Sequence, residues 1–148
     1  MKLKFPILLL LVLLPGSFLR AEPAAATEGY KKEIQVTPLL RTTTTSIGQP
    51  LVYPKTDHPE ITAVLVEIPS GAETGWHSHP FPCLAYIISG TLDVEIANGP
   101  TNQLVAGQAM TESINVLHNG KNNHPEPVKL VMFVMGETDK PFTERAKP

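Results

Sequence analysis

Four residue types in this chain could hold a metal ion, and several of them fall at telling intervals. His77 and His79 are separated by one residue. In an extended segment, side chains at i and i+2 point to the same face, so both imidazoles can converge on one ion. His118 closes another short apolar segment and could bring a third. Neutral imidazole suits zinc, iron, nickel and other late first-row ions. Two residues compete to complete such a site. Cys83, as thiolate, would be a strong ligand for zinc or another ion that tolerates sulfur. It also opens an apolar run and reads equally as a small buried hydrophobe. Glu112 lies an even number of residues before His118, so both would face one side of an unbroken strand. Its neighbours Ala109, Met110 and Ile114 are apolar or small, and an inward carboxylate among them needs a metal or a donor. Glu112 is therefore the preferred fourth ligand or general base. The plainer readings are a surface His-x-His pair that binds nothing and a solvated carboxylate at a strand edge. His58 and His124 each precede a proline in a polar loop and read as solvated.

The elements that would position these residues are strands. Ile61 to Ile68 is almost wholly apolar and β-branched, which predicts a strand buried on much of both faces. Leu84 to Ser89 is another apolar run, turned by Gly90. Thr91 to Ala97 then alternates Leu92, Val94 and Ile96 inward with Asp93 and Glu95 outward. Short strands follow over Gln103–Val105, Ala109–Glu112 and Ile114–His118, then a strong one over Val128–Met135. The Thr42–Thr45 stretch within 34–47 suits an extended edge strand. Asn119-Gly120 reads as a tight turn that Asn122 ties down with side-chain hydrogen bonds. Trp76 is expected to wall a pocket or cap its mouth. Phe81, held between Pro80 and Pro82, is expected to line its entrance. Many short strands without helical periodicity predict an all-β sandwich or barrel.

The spacing adds a resemblance. Gly71, His77, His79, Cys83 and Gly90 fall at the intervals of the first signature of the cupin superfamily, with Cys83 where that family usually carries Glu. Gly107, His118 and Asn122 resemble the second signature, with Ser113 and Asn115 at its usual Pro and Gly positions. The resemblance implies a single-domain jelly-roll barrel of antiparallel strands over 34–140, with a C-terminal tail at 141–148. It implies one divalent metal ion, iron, zinc, manganese or nickel, held by His77, His79 and His118. The missing Glu leaves Glu112 or Cys83 to complete the shell. The chain is similar to cysteine dioxygenases in its Cys at this position, joined in those proteins to a Tyr. That makes Tyr86 and Tyr53 the candidate partners, with Tyr86 also expected to line the pocket. The activity implied is that of a metal-dependent enzyme acting on a small organic molecule, with dioxygenase as the candidate reaction. The alternative is a non-enzymatic, metal-bound binding or sensory protein of the periplasm. Cupins often pair, which makes a homodimer through the Thr42–Thr45 edge the expected assembly.

Composition sets the limits. The chain has 148 residues with 42% apolar and 18% charged side chains, enough for one core. Ten Gly and 15 Pro favour turns over long helices. One Cys excludes an intrachain disulfide. The formal net charge of -2 argues against a nucleic-acid partner. Residues 1–21 read as a signal peptide, with Lys2 and Lys4 before an apolar run and cleavage expected after Ala21. Its removal takes Lys2, Lys4 and Arg20 but no acid, so the formal charge moves from -2 to -5. Residues 22–33 would form a flexible arm. The expected location is periplasmic or secreted, with no stable membrane anchor after cleavage.

Overall fold

The computed structural model describes residues 29–31 and 33–147; the expected signal peptide and most of the arm lie outside them. The chain divides into two units, Met1–Val36 and Thr37–Pro148. The described part of the first holds a turn in which Ile34 N–H donates to the Lys31 carbonyl at 3.0 Å.

The second unit is all β. Its strands are β1 (Pro59–Ile68), β2 (His77–Ser78), β3 (Cys83–Ser89), β4 (Thr91–Ile96), β5 (Thr101–Val105), β6 (Ala109–Thr111), β7 (His118–Lys121), β8 (Val128–Glu137) and β9 (Glu144–Arg145). They form a four-stranded sheet in the order β1-β8-β3-β6 and a five-stranded sheet in the order β5-β4-β7-β2-β9. The paired strands are antiparallel. Two sheets are present where one closed barrel was expected.

Alternation builds the shared core. Val64, Val66 and Ile68 of β1 point inward with Leu130, Met132 and Val134 of β8. Cys83, Ala85 and Ile87 of β3 meet Leu92, Val94 and Ile96 of β4 in the same buried cluster. Each fully buried aliphatic side chain of this kind contributes roughly 1.5–3 kcal/mol. β1 is not buried on both faces as its composition suggested. Ile61 and Leu65 point outward and are 71% and 61% exposed. Position 2 of the alternation decides the face, not the apolar character of the residue.

Three other local expectations change. Thr42–Thr45 forms no strand, only a bridge between Thr44 and Pro50, so the edge expected for pairing is absent. Residues 114–117 are not a strand, and Asn119-Gly120 is not a turn: both residues lie inside β7. The expected tail is part of the fold, since β9 pairs with β2. Among the described residues, no helix is long and apolar enough to cross a membrane.

Asn122 does tie down its loop. It is fully buried, and its Nδ2 donates to the carbonyls of Ile68 and Glu126, both at 2.9 Å. Its Oδ1 accepts from His124 N–H at 3.1 Å. Asn122→Ala strands these groups away from water and is expected to cost about 2 kcal/mol in urea unfolding.

Candidate metal centre

Three short segments carry the histidines to one place. His77 opens β2 and pairs directly with His118 at the start of β7. His79 follows β2 and is bridged to Ile114. The ring centroids lie 5.0 Å apart for His77–His79, 4.5 Å for His77–His118 and 5.1 Å for His79–His118.

Each ring is held by its other nitrogen. Nδ1 of His77 meets the Gly75 carbonyl at 2.8 Å, Nδ1 of His79 that of Phe142 at 2.7 Å, and Nδ1 of His118 that of Val116 at 2.9 Å. A carbonyl only accepts, so Nδ1–H is the donor in all three. The Nε2 atoms are left for the interior. Outer partners of this kind set the tautomer and orientation of metal-binding imidazoles.

Glu112 reaches the cluster by a route different from the one its spacing implied. The chain between β6 and β7 is not a straight strand but an arch, with Asn115 at φ 56°. Gln49 clamps it, accepting from Ile114 N–H at 2.9 Å and donating to the Ile114 carbonyl at 3.0 Å. Glu112 stays beside the four-stranded sheet, where its N–H donates to the Cys83 carbonyl at 2.9 Å. His118 starts a strand of the other sheet. The arch lets them face each other across the interior: Glu112 Oε2 stands 2.8 Å from His79 Nε2 and 3.4 Å from His118 Nε2. These approaches lack hydrogen-bond geometry, and both Oε2 and His118 Nε2 are buried without a hydrogen-bond partner.

Electrostatics agrees with this geometry. Burial opposes charge on Glu112, but the facing imidazoles of His118 and His79 hold its carboxyl at about 2. Burial also opposes charge on His79, and is outweighed by the neighbouring Cys83 sulfur and the Glu112 carboxylate, which raise it to about 10. Burial lowers His77, against the pull of the Gly75 carbonyl, and the nearby His118 and His79 lower it further. Burial pushes the Cys83 thiol up, favouring the neutral form. Its Sγ donates to the Phe81 carbonyl at 3.4 Å.

Donor atoms of His77, His79 and His118 lie within 4.8 Å of one another, as do those of His79, Cys83 and Glu112. The orphaned carboxylate oxygen and imidazole nitrogen are what a cation between them would satisfy. The residues fit one divalent ion. Cys83 and Glu112 are neighbours across the β3–β6 seam, so the carboxylate stands one strand away from the position of the thiol.

The cluster lines a cavity of about 290 Å³ walled mostly by aliphatic side chains of both sheets. The aromatic residues expected at this pocket are elsewhere. Trp76 is 41% exposed and does not line the cavity. Phe81 packs its ring against Gly136 at the end of β8. Tyr86 lies on the outer face of β3, opposite Cys83 by strand alternation, and lines a surface groove with Tyr53. Neither Tyr is placed to join Cys83. His58 is exposed. His124 sits 3.3 Å from Asp93 on the outer face of β4.

Sequence reasoning missed Thr74, Phe142 and Thr143. Phe142 and Thr143 line the cavity, and the Phe142 carbonyl orients His79. Thr74 Oγ1 approaches His77 Nδ1 and accepts from Gly120 N–H at 2.9 Å. Nothing local ties residues 142–143 to a histidine 63 positions earlier. Ser113, at the Pro position of the second signature, sits 3.3 Å from His118 Nδ1.

Residues 64–134 match the cupin domain family. None of the curated proteins compared matches the chain. Among solved structures, a double-stranded β-helix domain protein from Klebsiella pneumoniae is 23% identical, with 66% of this chain and 91% of that one covered at a TM-score of 0.52. A DMSP lyase from Ruegeria pomeroyi is 18% identical, covering 66% of this chain and 46% of the lyase at 0.52. An oxalate decarboxylase from Bacillus subtilis is 22% identical, covering 57% of this chain and 23% of the decarboxylase at 0.51. The chain thus spans less than half the length of either enzyme. At these identities the likeness is one of fold.

Proposed function

We infer, for a chain whose residues 64–134 form a cupin domain, that the protein is a metal-dependent enzyme acting on a small organic molecule. The observation that carries the reading is the set of three imidazoles locked by their Nδ1–H bonds around an orphaned Glu112 carboxylate. His77, His79 and His118 would hold the ion through Nε2, and Glu112 would complete the shell through its carboxylate. Such an ion supplies Lewis-acid activation of an oxygen donor and, where it is iron, redox chemistry with dioxygen.

The chain's own residues define the rest. The Gly75, Phe142 and Val116 carbonyls keep the rings aimed inward. The Glu112 carboxylate, facing the imidazoles of His79 and His118, would neutralise one of the ion's two charges, so its role is ligation. We assign a dioxygenase reaction because four protein ligands, His77, His79, His118 and Glu112, would leave a bound iron able to take a substrate and a second small molecule. The basic-then-apolar leader supports work outside the cytoplasm, and the mature N-terminus read by mass spectrometry should be Glu22.

Cys83, a buried thiol that donates to the Phe81 carbonyl, is not assigned to the metal shell. Cys83→Ser should leave zinc affinity within about threefold, far less than loss of a ligand or of its outer partner. The cobalt-substituted protein should lack a thiolate charge-transfer band. The reaction is tested with protein shown to hold one iron per chain, in an oxygen electrode, against alkyl-substituted catechols, enediols and thiols. Uptake above the free-iron background with at least one compound, abolished by Glu112→Gln, is expected. No uptake, or uptake indifferent to Glu112→Gln, contradicts the dioxygenase reading.

A further inference from the structure

The cavity beside the histidines carries more information than the site itself. Among the described residues, its titratable lining groups are His77, His79, His118 and Glu112, with no Lys or Arg. The rest of the wall is mainly aliphatic, from Val64 and Val66 of β1, Leu92 and Val94 of β4, and Leu130 and Met132 of β8, with Phe142 the one aromatic residue among the described lining residues. The two lining hydroxyls both sit at the histidine end. Thr74 Oγ1 is 3.4 Å from His77 Nδ1 and is engaged by Gly120 N–H. Thr143 Oγ1 is 3.4 Å from His79 Nδ1. Polar atoms therefore gather at one end, and hydrocarbon faces the rest of the volume. At about 290 Å³ the cavity is at the bottom of the range of about 300–1,000 Å³ usual for ligand pockets.

We infer that the ligand is a small amphipathic molecule: one oxygen-donor head for the histidine–carboxylate end, and an uncharged aliphatic body against the valine, leucine and methionine walls. The inference rests on the metal-site reading above. A second charge on the ligand would be buried against aliphatic side chains with no donor or counter-ion, which is strongly unfavourable. A methylene in the same place is favourable, because it and the apolar wall it covers leave water together. Ligands charged at both ends are thereby rejected.

The test uses purified, zinc-loaded protein and titration calorimetry, with zinc content measured before and after. The probes are acetate, butyrate and hexanoate, with succinate and adipate as partners of equal chain length that add a far carboxylate. Affinity should rise roughly fourfold per added methylene from acetate to hexanoate. Adipate should bind at least tenfold more weakly than hexanoate, and succinate more weakly than butyrate. Met132→Lys, checked for unchanged thermal unfolding, should narrow or reverse the hexanoate–adipate gap. If that variant does not fold, the ligand series alone decides. Protein that takes up no zinc overturns the metal-site reading and this inference together. Protein that holds zinc but binds adipate as tightly as hexanoate, or shows no dependence on chain length, overturns this inference and leaves the metal site standing.

Discussion

Glu112→Gln is expected to lower metal affinity on the order of 1,000-fold, beyond the roughly 10–100-fold that loss of an outer partner costs. The substitution keeps the shape of the side chain and removes its charge. Among the described residues the carboxylate is the only anion lining the cavity, and its Oε2 stands 2.8 Å from His79 Nε2. Without it, a divalent ion would lie in an aliphatic interior with no counter-charge. Competitive titration against a chelator indicator measures the change. His79→Ala should behave similarly, while Thr143→Val, which touches His79 only through Nδ1 at 3.4 Å, should fall within the smaller range.

The same contact governs the metal-free protein as pH changes. The Glu112 carboxyl falls from 4.5 to about 2, so its stabilisation is complete above 4.5 and is lost as pH falls through about 2. His79 rises from 6.5 to about 10, so its stabilisation is complete below 6.5 and is lost as pH rises toward about 10. The Glu112–His79 part is one pair seen from both sides and counts once, and the Cys83 sulfur adds to the His79 rise. Metal-free protein should gain most from it between pH 4.5 and 6.5. Glu112→Gln should flatten that maximum in denaturant unfolding. A proton on His79 Nε2 and a metal ion compete for the same lone pair, so metal affinity should strengthen as pH rises.

The second large effect is on the fold. Gly90→Ala is expected to cost roughly 3 kcal/mol or more, since left-handed strain alone is about 1–3 kcal/mol. Gly90 is the single residue between β3 and β4, at φ 80°. A Cβ there would lie 2.6 Å from the Pro127 carbonyl oxygen and 2.9 Å from Val128 Cα. Both are backbone at the start of β8, so no side chain can swing aside. Moving that turn also disturbs β4, which holds His118 opposite Ile96. Gly107→Ala is the control. Gly107 has a similar φ of 89° but nothing within 4 Å of its Cβ, so only the conformational part applies. Urea midpoints for the two variants should separate clearly.

The legible parts of the sequence were those governed by local geometry. Alternation over Thr91–Ala97 predicts which of its side chains enter the core, and the apolar run Val128–Met135 predicts a strand. The His77–His79 interval and the distance to His118 carried the cupin resemblance, which the family match at 64–134 supports. Glu112 was picked for an even offset along a strand that does not exist; it meets His118 because an arch brings two sheets together. Offset along a chain cannot reveal a connection across an interior. Trp76, Phe81 and Tyr86 were placed near the site by proximity in sequence, and alternation or a proline turn sent each elsewhere. Ile61 and Leu65 show the limit of composition: apolar residues on a strand also occupy its outer face. The role of Phe142 left no local trace, because its contribution to His79 is a backbone carbonyl, which any residue type could supply.

X-ray absorption at the zinc edge reads the donor atoms around the ion. Zinc-loaded protein, prepared without a histidine tag, should hold one ion per chain. It should show a shell of nitrogen and oxygen at about 2.0–2.1 Å, with the outer scattering of three imidazoles. Glu112→Gln should lose the ion. A sulfur neighbour at about 2.3 Å would put Cys83 in the place assigned to Glu112. Absence of stoichiometric metal under every loading condition would contradict the account altogether.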